Sequence, residues 1–204
     1  MYLQYCVKGI AGATASLPGI TKAEAIDAMS GGRGIFSNWW WAKKKITPEE
    51  EAAVLTDANL YRHLHDYATF GNQTPFISLA CGAVERDTVI QYNWIYSAKN
   101  TALMFATDNW TRPGALFFLW VPTSHRAAVA VRAVAEPVGD LNIYRRWSPY
   151  QLEGEVTAKV HIPANQIERL EWWVPKQGRG ELDYEEENPN YVKPEVLSNV
   201  RGLF

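Results

Sequence analysis

One segment of the chain has a pattern that constrains the fold more than any other. Between Val156 and Ile162 apolar residues occupy every second position, and Thr157, Lys159 and His161 lie between them. A period of two is typical of a β-strand that buries one face and exposes the other. The segment therefore predicts a strand with its apolar side against a core.

Two glutamates stand at the head of this strand. Glu153 and Glu155 are separated by one residue, so on extended backbone both carboxylates project to the same side. Neighbouring carboxylates repel each other unless a cation or a bound substrate shares their site. A short Glu-x-Glu sequence is also common in solvated turns. The pair alone therefore does not decide between a functional site and a solvated turn.

The flanking residues resemble a known family. The string EVTAKVHIPANQIERLEWW is similar to the catalytic-glutamate strand of cholera-toxin-like mono-ADP-ribosyltransferases, the Arg-Ser-Glu class. In that family a Glu-x-Glu pair precedes a small-residue strand, an Ile-Pro turn, a Gln-Ile motif and an aromatic strand. The resemblance makes Glu155 the catalytic glutamate and Glu153 the upstream glutamate of arginine-modifying members. The turn and the next strand are matched by Pro163, Gln166, Ile167, Trp172 and Trp173.

A second stretch carries the same resemblance. The string LYRHLHDY at 60–67 precedes TPFISL at 74–79, in the order of the family's helix and its Ser-Thr-Ser-like strand. Ser78 falls within the matched Ile-Ser-Leu, and Thr74 falls on the first Ser of the motif. The resemblance implies that Thr74 hydrogen-bonds the catalytic glutamate and that both residues line the cofactor site. A threonine that simply begins a buried strand is the alternative for Thr74.

The first predicted strand departs from the family. Where the family has an arginine that binds the NAD phosphates, this chain has Cys6 in the string YCVKG. A cysteine has no fixed charge and cannot make the bidentate contact of an arginine. Lys8 shares a strand face with Cys6, and Arg33 lies in a glycine-rich loop, so each is a candidate for the missing cation.

Residues 144–151 are expected to recognise the acceptor. This loop would contribute Trp147, Tyr150 and Gln151. Its aromatic rings suit a protein surface, and they would also stack on a nucleobase. Simple packing within the loop is the alternative.

The remaining patterns predict an α+β protein. A capping box at Thr21 begins one early helix, and Thr47, Pro48 and Glu50 begin a second, with Pro at its first position and glutamates in its first turn. We expect the second helix to break near Asp57 and strands to dominate later. The resemblance implies an ADP-ribosyltransferase-like fold, with two small packed β-sheets and helices concentrated in the N-terminal half. We expect a single domain over 1–175 and a charged C-terminal tail or wrapping segment over 176–204.

Composition limits the possible environments. The 204 residues carry a net charge of −2, which gives no general attraction to nucleic acid or to anionic membranes. No apolar run approaches the about 20 residues that span a bilayer, and the first residues lack the features of a standard signal peptide. Two cysteines and four scattered histidines predict neither a disulfide framework nor a metal site. The expected site of action is the cytoplasm, with any export by a route without a standard signal.

The resemblance implies a toxin or effector that cleaves NAD, its substrate rather than a bound cofactor. The ADP-ribose would pass to a macromolecular acceptor, protein arginine ahead of nucleic acid. An immunity or antitoxin protein would be a natural partner. The alternatives are a degenerate binding module without NAD chemistry, a nucleic-acid-modifying relative, an NAD hydrolase and, more remotely, a carbohydrate-active enzyme.

Overall fold

A seven-stranded antiparallel sheet forms the centre of the protein. The structure, a computed structural model, describes residues 2–43, 46–81, 94–124, 127–138 and 154–194. In chain order the strands are β1 (Tyr2–Ala11), β2 (Ile35–Phe36), β3 (Phe76–Ala80), β4 (Gly114–Thr123), β5 (Glu136–Pro137), β6 (Glu155–Lys159), β7 (His161–Ile162), β8 (Ile167–Lys176) and β9 (Arg179–Glu187). The large sheet has the order β5-β6-β3-β1-β4-β8-β9, and β2 pairs with β7 in a second sheet.

Five of the helices precede the third strand. They are α1 (Lys22–Met29), α2 (Asn38–Lys43), α3 (Pro48–Val54), α4 (Asp57–His65) and α5 (Tyr67–Phe70), while α6 (Trp94–Thr107) follows β3. The predicted α+β class, with two sheets and helices concentrated towards the N-terminus, is confirmed for the described residues. No helix in this part of the chain is both long and apolar enough to cross a bilayer.

Local sequence signals set the helix boundaries. The predicted capping box forms, with Thr21 and Glu24 exchanging hydrogen bonds at the start of α1. The predicted helix start at Thr47 is also present, and there Thr47 and Glu50 form a second capping box at the start of α3. The predicted break near Asp57 is also present. The side chain of Thr56 caps α4 there by accepting from the backbone N–H of Asn59.

Residues beyond 175 continue the sheet. Strand β8 runs across the expected domain boundary at residue 175. It pairs with β9, from Arg169 opposite Glu187 at one end to Lys176 opposite Arg179 at the other. Asn188, which is buried, then donates hydrogen bonds from its side chain to the carbonyl oxygens of Ala164 and Ile167, each at 2.8 Å. Residues 176–188 are therefore tied into the fold, although their sequence is strongly charged.

The large sheet has a seam between β1 and β3. Strand β1 pairs with β4 along its whole length, and β3 pairs with β6 along its whole length. Between β1 and β3 the ladder consists of one pair, Val7 with Ala80. The sheet thus has two continuous halves that meet at one point.

The polar face expected for β6 is buried. Thr157 and Lys159 are as inaccessible as the apolar residues that alternate with them, so the prediction of a half-exposed strand was wrong. At Lys159 the reason is that residues 127–138 pack against the side chain. The Lys159 ammonium donates to Glu136 Oε1 at 2.6 Å and to the Val131 carbonyl oxygen at 2.9 Å. Burial lowers the pKa of Lys159 and raises the pKa of Glu136, and each shift is opposed by the partner's charge.

We expect Glu136→Gln to lower the free energy of unfolding by about 3 kcal/mol, because it leaves the buried Lys159 charge without a counter-ion. Urea denaturation followed by tryptophan fluorescence measures the change. The matched control is Arg132→Gln, which removes a partly exposed ion pair with Glu51 and should lower the same quantity by less than about 1 kcal/mol. Equal losses in the two variants would contradict a specific role for the buried pair.

Candidate functional site

A cavity of about 810 Å³ opens beside the seam. One wall is the part of β1 from Val7 to Ala11, and the opposite wall is β3. Residues 33–38, the start of β6 and one face of α6 also contribute to the lining. Its volume is in the range of pockets that bind small molecules and cofactors. The cavity exists because the ladder between β1 and β3 stops after one pair.

Glu155 is the first residue of β6 and lines the cavity. It pairs with Ala80 at the seam end of β3, so its side chain starts close to the point where the two halves of the sheet part. The Thr157 hydroxyl donates to Glu155 Oε1 at 3.4 Å. Gly154, immediately before it, has a φ of +50°, a conformation that favours glycine and turns the chain into the strand.

Lys8 faces the same cavity from β1. Burial of the ammonium lowers the pKa of Lys8 to about 8, and the negative charge of Glu155 acts in the opposite direction. The two charges therefore sense each other across the cavity. A lysine in this environment is charged at neutral pH but loses its proton at mildly alkaline pH.

A histidine connects two of the predicted residues. The His63 ring is buried on α4, with Nδ1 2.9 Å from Thr74 Oγ1 and Nε2 2.8 Å from Ser78 Oγ. Burial, and to a lesser degree the charge of Lys8, lowers the pKa of His63 to about 3. The imidazole is thus neutral at physiological pH.

The hydrogen bonds select one tautomer of His63. Thr74 Oγ1 already accepts from the backbone N–H of Phe76 at 3.2 Å, and its own buried proton has the imidazole as its partner among the described residues. Thr74 therefore donates to Nδ1, and Nε2–H donates to Ser78 Oγ. This arrangement leaves the proton of Ser78 available to donate into the cavity, which Ser78 lines.

Of the other two predicted site residues in the described part of the chain, Cys6 lies in the core and Arg33 lines the cavity. Cys6 is fully buried in the core, with its sulfur 3.1 Å from the sulfur of Cys81, and it does not line the cavity. Arg33 does line the cavity, and its guanidinium donates to the Glu24 carbonyl oxygen at 2.8 Å and lies 3.0 Å from an Asp27 carboxylate oxygen. On β1 the side chain that brings a charge to the cavity is thus Lys8.

Four predicted residues lie outside the described part of the chain. They are the upstream glutamate and the three residues expected to recognise an acceptor: Glu153, Trp147, Tyr150 and Gln151. Their roles stay predictions. Within the described residues, no group of three or more histidine, cysteine, aspartate or glutamate side chains is arranged to hold a metal ion.

Aromatic side chains at and beside the cavity were not assigned to the site by the sequence analysis. The Phe36 ring stacks between Trp40 at 3.9 Å and His161 at 4.1 Å, measured between ring centroids. Trp41, Tyr67 and Phe105 are among the most exposed large side chains described, and all three line the cavity. His63 was missed as well, although it lies in the string LYRHLHDY that carries the resemblance. Nothing in the local pattern distinguishes it from His65.

Comparisons with known proteins give only weak likenesses. No protein-family model matches the chain, and no curated protein matches it. Among solved structures it is similar to EcPltA, with 13% identity over 96% of this chain and 91% of that one, and a TM-score of 0.46. It is also similar to nicked CARDS toxin, with 12% identity over 97% of this chain and 32% of that one, and a TM-score of 0.39. Likenesses at this level do not show a family.

We expect the ring protons of His63 to show no titration between about pH 7 and about pH 5 in NMR spectra of the folded protein, because its pKa of about 3 lies below that range. In urea the same resonance should titrate near the ordinary value of about 6.5. Between these two pKa values the unfolded chain binds the extra proton, so His63 makes the protein less stable as the pH falls. Titration near 6.5 in the folded state would contradict a buried, neutral imidazole.

Proposed function

We propose that the protein is an NAD-dependent mono-ADP-ribosyltransferase of the toxin or effector type. The observation that carries the proposal is the meeting of Lys8, Ser78 and Glu155 in one cavity, from three different strands. An anionic carboxylate, a cation and an oriented hydroxyl are the groups needed to bind a dinucleotide and to stabilise positive charge on a ribose. The resemblance around Glu155 and Ser78 supports the same assignment.

Glu155 is the catalytic carboxylate in this proposal. Cleavage of the nicotinamide N-glycosidic bond develops positive charge on the ribose, as in glycoside hydrolysis. A carboxylate held beside the ribose stabilises this charge more in the transition state than in bound NAD. Glu155 suits the role because it stands at the head of a strand that is fixed on one side by β3 and on the other by residues 127–138.

Lys8 serves as the cation for the NAD phosphates. Its ammonium lies on the cavity wall opposite Ser78 and interacts electrostatically with Glu155. A lysine binds a phosphate as a point charge, without the planar two-point contact of an arginine. The dinucleotide is thus attracted to the cavity and held less rigidly than by an arginine.

His63 orients Ser78 in the proposed site. With Nε2–H donating to Ser78 Oγ, the serine proton is directed to an acceptor in the cavity, either the carboxylate of Glu155 or a ribose oxygen. Thr74 holds the imidazole from behind. The role of Thr74 is thus indirect in this proposal, because its hydroxyl bonds His63 and is buried away from the cavity surface.

The acceptor we propose is an arginine of a target protein in the cytoplasm, with Glu153 orienting the guanidinium. Trp147, Tyr150 and Gln151 would contact the target, and an immunity protein that covers the cavity would restrain the activity. Incubating cell extract with isotope-labelled NAD and the protein, followed by peptide mass spectrometry, identifies the modified residue. If the label were found only on nucleic acid, the arginine acceptor would be wrong and the nucleic-acid-modifying alternative would replace it.

A binding module without NAD chemistry is the second candidate. It is favoured by Cys6, which stands at the family's arginine position in the sequence and is buried in the core. Calorimetric titration of NAD separates the two candidates. No detectable binding at millimolar NAD would favour the module.

We expect Glu155→Gln to slow NAD cleavage about 100- to 1000-fold while it leaves the melting temperature nearly unchanged, because the substitution removes a charge and preserves the shape. Release of nicotinamide, measured by chromatography, reports the rate. Glu181→Gln is the control, since it removes an exposed carboxylate from β9, away from the cavity lining. Cleavage at the wild-type rate in Glu155→Gln would show that this carboxylate is not catalytic.

We expect the affinity for NAD to fall about tenfold between about pH 7 and about pH 9, because Lys8 loses its proton with a pKa of about 8 and only the charged form attracts the phosphates. Isothermal titration calorimetry at several pH values measures the dissociation constant. In Lys8→Arg the affinity should no longer depend on pH over this range, because arginine stays protonated. The same pH dependence in wild type and Lys8→Arg would exclude Lys8 as the phosphate ligand.

A further inference from the structure

The two cysteines of the chain meet at the seam of the sheet. Cys6 lies on β1, and Cys81 directly follows β3. Their sulfur atoms are 3.1 Å apart, and both side chains are almost completely buried. These are the only two cysteines in the sequence. Their meeting across 75 residues of chain is not explained by the proposed NAD chemistry.

The backbone places the two residues opposite each other. Val7 pairs with Ala80 in an antiparallel ladder, so the next position along this ladder brings Cys6 opposite Cys81. Opposite residues on antiparallel strands have Cα atoms about 4.5–5.5 Å apart. Disulfides form when this distance is about 4.4–6.8 Å. The pair can therefore be joined with little movement of either strand.

Each cysteine is also held from its other side. Cys6 is paired with Leu119 of β4, and the Cys81 amide donates to the Gly154 carbonyl oxygen at 2.7 Å. The sulfur pair thus connects the half of the sheet that contains β4 to the half that contains β6. Together with the pair Val7–Ala80, it joins the two halves of the sheet at the seam.

We propose that Cys6 and Cys81 are a site of reversible thiol oxidation, in which a low-molecular-weight disulfide such as oxidised glutathione closes a bond between them and locks β1 to β3. One thiolate attacks oxidised glutathione, which forms a mixed disulfide and releases one reduced glutathione. The second cysteine then attacks the mixed disulfide, which forms the Cys6–Cys81 bond and releases the second reduced glutathione. The two protein thiols lose two electrons and two protons, and glutathione gains them.

The surroundings of the sulfurs determine when this exchange takes place. Burial raises the pKa of Cys6, and the hydrogen bond with Cys81 raises it further. Little thiolate is therefore present in the folded protein, and exchange is slow while the seam is closed. Oxidation occurs during folding or when the seam opens, and in a reducing cytoplasm the pair remains as two thiols.

The bond would stabilise the folded state. It closes a long loop and so restricts the unfolded chain, an effect that grows with loop length. We expect the oxidised protein to melt roughly 5–15 °C above the reduced protein. The stabilised element is the part of the sheet that sets the distance between Lys8 and Ser78.

The test is to refold the full chain in a buffer of reduced and oxidised glutathione and in a buffer with excess reductant. Exchange is stopped in acid, and the unfolded protein is then alkylated with N-ethylmaleimide in denaturant at neutral pH, so that mass spectrometry counts free thiols. We expect two alkylated cysteines in the reduced sample, none in the oxidised sample, and a peptide that links residue 6 to residue 81. Thermal melts of the two samples give the shift in melting temperature. None of these measurements depends on NAD cleavage, so they are independent of the proposed function.

Two outcomes would overturn the proposal. One is that both thiols remain alkylatable, or carry only glutathione, after refolding with oxidised glutathione. The other is that the linked peptide forms but the melting temperature does not rise. As controls, Cys6→Ser and Cys81→Ser should each lack the rise in melting temperature in the oxidising buffer, because neither can close the bond. A rise in either variant would assign the effect to another group.

Discussion

The early end of the hydrogen-bonded ladder between β1 and β3 determines where the candidate site lies. Each of these strands is paired along its whole length on its other side, so neither can move far to meet the other. After Val7 and Ala80 the two strands therefore bound a space instead of continuing the sheet. Lys8 and Ser78 lie just beyond that point, on opposite walls. A site made in this way is rigid, because both walls belong to a continuous sheet.

Burial decides how the groups in this space behave. The same loss of water lowers the pKa of Lys8 and keeps His63 neutral. Both shifts limit the amount of positive charge that is buried in this space. A charged His63 beside Lys8 would add a second cation, and its ring could not accept the Thr74 proton. The neutral ring accepts from Thr74 and donates to Ser78. The electrostatics and the hydrogen-bond geometry thus both require a neutral His63 imidazole.

The helices and several strands could be predicted because their signals are local. Capping boxes at Thr21 and Thr47 need only side chains three residues apart, and the break before Asp57 coincides with a threonine cap. The exposure of a strand face is not local. Alternation correctly separated the two faces from Val156 to Lys159, but it did not show that the strand ends there, where Val160 has a φ of +63°. It also could not show that residues 127–138 cover Lys159.

The candidate site was predictable in part for the same reason. Glu155 and Ser78 lie in strings long enough to carry a resemblance, and both line the cavity. His63 could not be distinguished from His65, since its role depends on which helix face meets β3. Matching by strand position also put Cys6 where the family has its arginine. In the structure the cavity lining on β1 begins at Val7 and does not include Cys6, so the core receives the thiol and the cavity receives the ammonium.

Cys6 and Lys8 lie close together on β1. This connects the thiol pair at the seam with the cation of the candidate site. Residues i and i+2 of a strand are about 7 Å apart and project to the same side. Any change in the distance between β1 and β3 at the thiol pair therefore acts on the wall that carries Lys8. Because Ser78 stands on the other strand, the width of the cavity at its inner end depends on how the seam is closed. The contacts that join β1 to β3, the pair Val7–Ala80 and the two thiols, thus also set the distance between the cation and the hydroxyl of the site.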